Sequence, residues 1–278
     1  MPKKKRTKKK PLSFKVYKGD CREVMPRRVE PGSAKLAILD PPYNLGKDYE
    51  AFLDKAKVAD FKDWLYQCVD VSLDCLHRHG TLWLFMSDHL VSEIDVMLKT
   101  RLGLVKRSHV IWYYTFGENA KKNFTPSHTH LLYYVKTKTQ YTFEPDNPAL
   151  RHPSARQVKY KDKRANPKGR LPDNTWAIFP ELMPDGFDPA GDTWLASRVC
   201  GTFNEREKAS PNQIPVPLME RIVMSTSRPG DLVVDPFCGT GSSGIAAKLH
   251  GRNYVGCDLS DSCCKQSRRR IASANPGG

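Results

Sequence analysis

Leu232-Val233-Val234-Asp235-Pro236-Phe237-Cys238-Gly239-Thr240-Gly241-Ser242 is the stretch that decides the fold. Leu232 to Val234 read as a short buried strand, the glycines as a tight turn, and the residues to about Leu249 as a helix. Tyr254-Val255-Gly256-Cys257 is a further strand, ending at Asp258, 17 residues after Gly241. Strand, glycine loop, helix, strand and acid together make one half-site of a doubly wound sheet. The glycines let the backbone approach a ligand closely, and an acid at the end of the next strand suits the hydroxyls of a ribose. Gly239-Thr240-Gly241-Ser242-Ser243-Gly244 also fits the Gly-x-Gly-x-x-Gly string of dinucleotide sites. Asp235 argues against a dinucleotide: a pyrophosphate favours a helix N-terminus without a carboxylate close by, whereas a carboxylate suits a cationic or amino ligand.

The pattern of a strand running into an acid recurs far upstream. Leu36-Ala37-Ile38-Leu39 reads as a buried strand and is followed by Asp40-Pro41-Pro42-Tyr43. Pro41 lacks an N–H and holds Asp40 extended, so the carboxylate stands at the carboxyl end of the strand beside a stiff turn and an aromatic ring. An acceptor next to a stacking surface suits a flat molecule bearing an amino group, such as a nucleobase. Taken alone, the tetrapeptide is equally a loop opener, since Asp and Pro are common in turns.

Around these two stretches the chain alternates strands and helices, which implies a mostly parallel sheet covered by helices. Strands are expected at 14–18, 81–86, 105–114 and 131–135, the last two as a pair around a polar loop. Helices are expected at 21–28, at 60–78 with Gly80 as the stop signal, at 89–101 and from Pro215 to about Val223. Residues 144–192 break the alternation. They are rich in Pro, Asn, Asp and basic residues, and residues 151–170 carry eight Lys or Arg against one Asp. This stretch reads as an insert with little core of its own rather than a sheet element, with Trp176 and Trp194 arguing for partial packing.

Net charge is +15, and seven of the positive charges lie in residues 3–10, so about +8 remains on the rest of the chain. A body that is basic in its own right favours a polyanionic partner. The tail reads as a solvated arm, a nonspecific phosphate binder or, in a eukaryotic host, a nuclear import signal. No run of eighteen apolar residues occurs, so no membrane partner is expected. The eight cysteines include no Cys-x-x-Cys, and no Cys/His set has zinc spacing, so they read as reduced core thiols and no metal is expected.

Asp40-Pro41-Pro42-Tyr43 together with Asp235-Pro236-Phe237-x-Gly239-x-Gly241 resembles the DNA amino-methyltransferases, which methylate adenine N6 or cytosine N4. The acceptor motif precedes the glycine loop with a basic insert between them, which is similar to the β arrangement of that family. Gly19-Asp20 resembles the segment that touches the cofactor's adenine. Pro211-Asn212-Gln213-Ile214-Pro215 resembles the element that closes over the cofactor, and Phe124-Thr125-Pro126-x-His128 the stretch before the recognition insert. Ser210 and Thr129 depart from the family, which commonly has His and an acid there.

The resemblance implies a doubly wound, mostly parallel seven-stranded sheet of the Rossmann-like methyltransferase type, with a core order of 3-2-1-4-5 and a permuted motif order. The strands before Asp235 and Asp258 would be first and second, those before Gly19-Asp20 and Asp40 third and fourth. Asp235 and Asp40, 195 positions apart, would then leave neighbouring strands at the point where such sheets bind ligands. It also implies four segments: a basic tail over 1–13, a catalytic half over 14–136, a target-recognition insert over 137–195 and a cofactor-binding half over 196–278. S-adenosylmethionine is the implied cofactor. Asp20, Cys21, Asp40, Gln213, Pro215, Asp235, Pro236, Phe237, Cys238, Gly239, Thr240, Gly241 and Asp258 are the residues implied to bind it.

Asp40, Pro41, Pro42 and Tyr43 are the expected catalytic residues, and Arg151, Arg156, Lys159, Arg164 and Arg170 the expected DNA contacts. Double-stranded DNA is the expected partner, and a homodimer and a cognate restriction endonuclease are compatible with the family. A cytoplasmic, nucleoid-associated location follows for a prokaryotic or phage host. Asp40, where Ser would lean toward cytosine, leans toward adenine N6. Cytosine N4 stays open, and so does a silent DNA-binding relative, although Asp40 and the glycine loop are intact. RNA and protein-glutamine methyltransferases fit less well, because they usually present Asn before Pro-Pro-Tyr and place the glycine loop first.

Overall fold

The computed structural model describes residues 11–49, 52–114, 121–122, 124, 126–176 and 213–275. Trp194, Cys200, residues 210–212 and residues 1–10 of the basic tail lie outside that range. Along the chain run β1 (Phe14–Lys18), α1 (Cys21–Arg28), β2 (Ala34–Leu39), the two-residue strands β3 (Asp48–Tyr49) and β4 (Phe52–Leu53), α2 (Val58–Cys75), β5 (Leu76–Met86), α3 (Val91–Arg101), β6 (Val105–Tyr113), β7 (His128–Val135), the single turn α4 (Ala155–Val158), β8 (Thr175–Trp176), α5 (Val216–Thr226), β9 (Leu232–Asp235), α6 (Ser242–Leu249), β10 (Asn253–Asp258) and α7 (Asp261–Ser273).

The main sheet has the order β1-β10-β9-β2-β5-β7-β6-β8. Its first five strands are parallel and reproduce the expected 3-2-1-4-5 core; β7 then runs antiparallel to both β5 and β6. The sheet is buried on both faces, which is why its central strands read as continuous apolar runs. Along β2, Ala37 and Leu39 pack on the side of α1, α2 and α3, while Leu36 and Ile38 pack on the side of α5, α6 and α7. Each of the three larger side chains, Leu36, Ile38 and Leu39, stabilises the fold by roughly 1.5–3 kcal/mol when fully buried.

Three elements differ from the sequence expectation. The helix expected to run to residue 78 ends at Cys75, and β5 begins at once at Leu76. Lys136 Nζ, at the end of β7, donates to the carbonyls of Leu73 (2.9 Å) and Leu76 (3.0 Å) and so satisfies the open end of the helix. Gly80 is therefore no stop signal. It sits where β5 shifts register against β2, and a Cβ there would lie 2.9 Å from the His77 carbonyl oxygen.

The basic insert does supply a sheet element, contrary to expectation. β8 pairs parallel with β6 through Ile111↔Thr175 and Trp112↔Trp176, giving eight strands in place of seven. The cause is Trp176, which is buried and lies 5.9 Å from the ring of Trp83. The last helix, α7, had no expectation at all. Its buried face, Cys263, Cys264, Ser267 and Ile271, falls at helical spacing but is made mostly of small Cys and Ser side chains.

Candidate active site

β2 delivers Asp40 to the carboxyl edge of the sheet. There it lines a cleft of about 480 Å³, together with Pro41, Pro42, Tyr43, Trp112, Tyr114 and His128. The Tyr43 hydroxyl donates to Asp40 Oδ1 at 2.6 Å, so ring and carboxylate orient one another. Burial pushes the Asp40 carboxyl up to about 6, against the pull of the Tyr43 hydrogen bond and the Lys47 charge. The turn that follows is held by Asp54. Its carboxylate accepts from the backbone N–H of Asn44 (2.6 Å), Leu45 (3.0 Å) and Lys47 (3.2 Å). Asn44 takes the left-handed conformation, φ +59°, that this turn requires.

β9 delivers Asp235 to the same edge, because β2 and β9 are parallel neighbours with Ala37 opposite Val234. The Asp235 carboxylate accepts from the backbone N–H of Phe237 at 2.9 Å and, on its other oxygen, from the Ser243 hydroxyl. It thereby ties the glycine loop to the first turn of α6. Burial pushes its carboxyl up to about 7; the bonds from Ser243 and Phe237 oppose this, while Asp40 and Asp258 add to it. Gly241 sits at φ +85° as the N-cap of α6, with its Cα side against α7, where a Cβ would lie 3.0 Å from Ser267 Cα. Gly239, at φ +46°, has no heavy atom within 4 Å of where its Cβ would lie.

At the end of β10, Asp258 accepts from Gly239 N–H (3.0 Å) and Ser260 N–H (2.9 Å). Gly19 N–H donates to the Asp258 carbonyl at 2.9 Å, which sets β1's end beside it. Asp20 caps α1 and is clasped by the Arg22 guanidinium, its nearest contact 2.6 Å, which holds the Asp20 carboxyl below the usual range. Ser242 Oγ donates to the Ile214 carbonyl at 2.7 Å, so the segment of Gln213 and Pro215 is tied to the glycine loop.

Of the residues singled out in the sequence, Asp20, Cys21, Asp40, Pro41, Pro42, Tyr43, Gln213, Asp235, Pro236, Phe237, Cys238, Gly239, Thr240 and Asp258 all line this one cleft. Pro215 and Gly241 stand just behind its wall, as N-caps of α5 and α6. The sequence did not point to Arg22, which clasps Asp20 two residues before it, nor to Asp54 or Ser243, whose partners become visible only in the fold. It also missed an aromatic cluster: the Trp64 ring lies 5.0 Å from Phe52, tilted, and 5.7 Å from Phe237, edge-on. A group formed by Asp88, His109, His128 and His130 at the rim was likewise unread. Burial, with His128 and His109 beside it, pulls the His130 imidazole below its usual range.

The five basic residues of the insert do not behave alike. Arg151 donates to the carbonyls of Pro145 and Gly169, both at 2.6 Å, and so braces the insert itself. Arg170 is half-buried, and its backbone pairs with that of His152. Arg164 is exposed and ion-paired with Asp162 at 3.0 Å, while Arg156 and Lys159 are exposed. The four arginines line a second, shallower cleft with Tyr160 and Asn166.

A doubly wound sheet with two acid-tipped strands opening on one cleft defines a group-transfer enzyme that brings a donor and an acceptor side by side. Residues 34–269 match the DNA methylase family of the N6/N4 type. The chain is 32% identical over 251 residues to the type II methyltransferase M.HpaI of Haemophilus parainfluenzae, covering 89% of this chain and 71% of that one. It is 29% identical to the DNA adenine methyltransferase YhdJ of Escherichia coli, covering 90% and 80%. The crystal structure of the M1.HpyAVI–SAM complex superposes with a TM-score of 0.60 at 20% identity, covering 93% of this chain and 98% of that one. The chain belongs to the N6/N4 DNA methylase family and is an S-adenosylmethionine-dependent DNA methyltransferase acting on adenine N6 or cytosine N4.

Proposed function

We propose that the protein methylates the N6 amine of adenine within a specific sequence of double-stranded DNA. The observation that carries the choice of base is Asp40, a carboxylate at the head of the acceptor motif, held toward the cleft by the Tyr43 hydroxyl. The similarity to YhdJ, a DNA adenine methyltransferase, supports the same choice.

The donor half fits S-adenosylmethionine on two counts. The loop at Gly239 leaves open space where a side chain would stand, and acids flank it on both sides at Asp235 and Asp258. In this reading Gly239, Thr240, Phe237 and Cys238 form the floor, Gly241 fixes the turn, and Gln213 and Pro215 close one side. Asp258 and Asp20, with Cys21, take the nucleoside end, and Asp235 with Pro236 and Asp40 faces the cationic end. When bound, the cofactor supplies an electrophilic methyl group on a sulfonium.

The amine's lone pair is delocalised into the base. Asp40 and the Pro41 carbonyl accept hydrogen bonds from its protons and localise that pair toward the methyl group. Pro42 keeps the turn stiff, and Tyr43 stacks on the base, an interaction worth roughly 1–3 kcal/mol. A carboxyl near 6 is ionised at neutral pH, yet basic enough to receive the proton the amine sheds as the new N–C bond forms. The base must first leave the duplex, at about a few kcal/mol. Phosphate contacts from the insert over 137–195 (Arg156, Lys159 and Arg164 foremost, with Arg151 and Arg170 as its frame) and from the tail over 1–13 offset that cost. The cofactor half over 196–278 and the catalytic half over 14–136 flank the insert. A homodimer and a partner nuclease remain compatible with this division.

The test is to incubate purified protein with cofactor and unmodified DNA, digest the DNA and identify the nucleosides. N6-methyladenine is expected; N4-methylcytosine would move the assignment to the other base.

A further inference from the structure

We propose that Asp88, His128 and His130 form a binding site for a divalent transition-metal ion of the zinc type, at the rim of the acceptor side of the cleft. His128 Nε2 lies 3.2 Å from His130 Nε2, and His130 Nε2 lies 3.3 Å from Asp88 Oδ1. All three ligand atoms fall within 4.8 Å of one another. A tetrahedral ion with bonds of about 2.0–2.1 Å places neighbouring ligand atoms about 3.3 Å apart, so two of the three edges already have the required length.

The fold explains the convergence. His128 and His130 are alternate residues of β7 and therefore point to the same face. Met86, the last residue of β5, pairs with His130, so Asp88 arrives two residues beyond the strand end. His109, on β6, brings its Nε2 to 2.7 Å from His130 Nδ1. That bond occupies one nitrogen of His130 and directs the other toward Asp88 and His128, the supporting arrangement that metal-bound imidazoles commonly have. Two ring nitrogens and a carboxylate facing one another present three lone pairs to a common point, which one cation can accept together.

Two imidazoles and one carboxylate suit zinc, copper, nickel or iron rather than magnesium or calcium, which prefer oxygen ligands throughout. Three protein ligands leave a fourth position for water. Asp88 and His128 also line the cleft, so a bound ion would pin residues 87–89 against β7 beside the acceptor pocket. No spacing pattern announces this site, because Asp88 lies forty positions before His128.

The test uses tag-free full-length protein stripped with a chelator and titrated with zinc, and separately with cobalt. One equivalent should bind, with the visible absorption of tetrahedral cobalt, and zinc should raise the melting temperature. Asp88→Asn and His130→Gln should each weaken binding by about a hundredfold or more. His109→Gln should weaken it about tenfold, the lower end of what a supporting residue contributes. The Asp88 side chain is 71% exposed, so Asp88→Asn keeps the test valid if His130→Gln fails to fold. Stoichiometric binding that survives Asp88→Asn unchanged would belong to another site, such as the buried thiols, and would overturn the proposal. So would the absence of stoichiometric binding to the wild type.

Discussion

Burial at neighbouring strand ends raises both carboxyls, Asp40 to about 6 and Asp235 to about 7, and for Asp235 the charges of Asp40 and Asp258 add to the effect. For Asp40 the consequence is kinetic. Transfer needs the ionised carboxylate, so the rate should fall on the acid side with a midpoint near 6 rather than near 4. The Tyr43 hydroxyl holds Asp40 down, so Tyr43→Phe should move that midpoint to higher pH; single-turnover rates across pH check both. For Asp235 the consequence concerns stability. Its folded value lies above its ordinary one, so the folded state holds the proton more tightly than the unfolded state does. The stability this contributes is fully present below the ordinary carboxylate value and is lost as pH rises through about 7. Asp235→Asn, which never ionises, should therefore melt higher relative to wild type at pH 8, and that advantage should shrink by pH 5. Asp40, Asp235 and Asp258 were legible in the sequence because each ends an apolar run. Asp54 and Ser243 were not, because the backbone N–H groups and carboxylate they hold come near only when the turn and the glycine loop form.

At the scale of elements, the glycine loop separates two kinds of constraint. Gly241 combines φ +85° with a Cβ position blocked by Ser267 of α7, whereas Gly239 combines φ +46° with open space toward the cleft. Gly241→Ala should therefore lower stability by about 1–3 kcal/mol, read as a drop in melting temperature. Gly239→Ala should melt closer to wild type but lose cofactor affinity, measured by calorimetry. β1, α1, α3, α5 and β10 all stand within a few residues of where the sequence put them. Two of the errors share one cause, which is that a tertiary contact overrode a local pattern. Lys136 closes α2 early, and the buried ring of Trp176 draws a strand out of the polar insert to pair with β6. α7 escaped notice because its inward face is built of Cys and Ser beside a run of three arginines, Arg268 to Arg270.

At the scale of the molecule, the order of motifs along the chain and the order of strands in the sheet are different things, and the site exists only in the second. Asp40 and Asp235 meet because β2 and β9 pair, so neither half of the chain holds a complete cleft. Charge acts at this scale too. With a net +15, nearly half of it in residues 3–10, DNA affinity should fall steeply with salt. The slope of log affinity against log salt is about −0.9 per phosphate contact neutralised. Deleting residues 1–10 should make that slope shallower and weaken all DNA sequences alike, while Lys159→Ala should lower it by about one contact; binding titrations over a salt series check both. The role of Asp40 as the group that orients the amine and takes its proton is tested by single-turnover methyl transfer with Asp40→Ala, with cofactor and DNA affinities measured on the same preparation. That role predicts DNA affinity within a few fold of wild type, a weaker cofactor affinity, and a transfer rate at saturating cofactor lower by about 10²–10⁴, the span that a positioned acid or base typically contributes. Transfer at the wild-type rate by Asp40→Ala would contradict it.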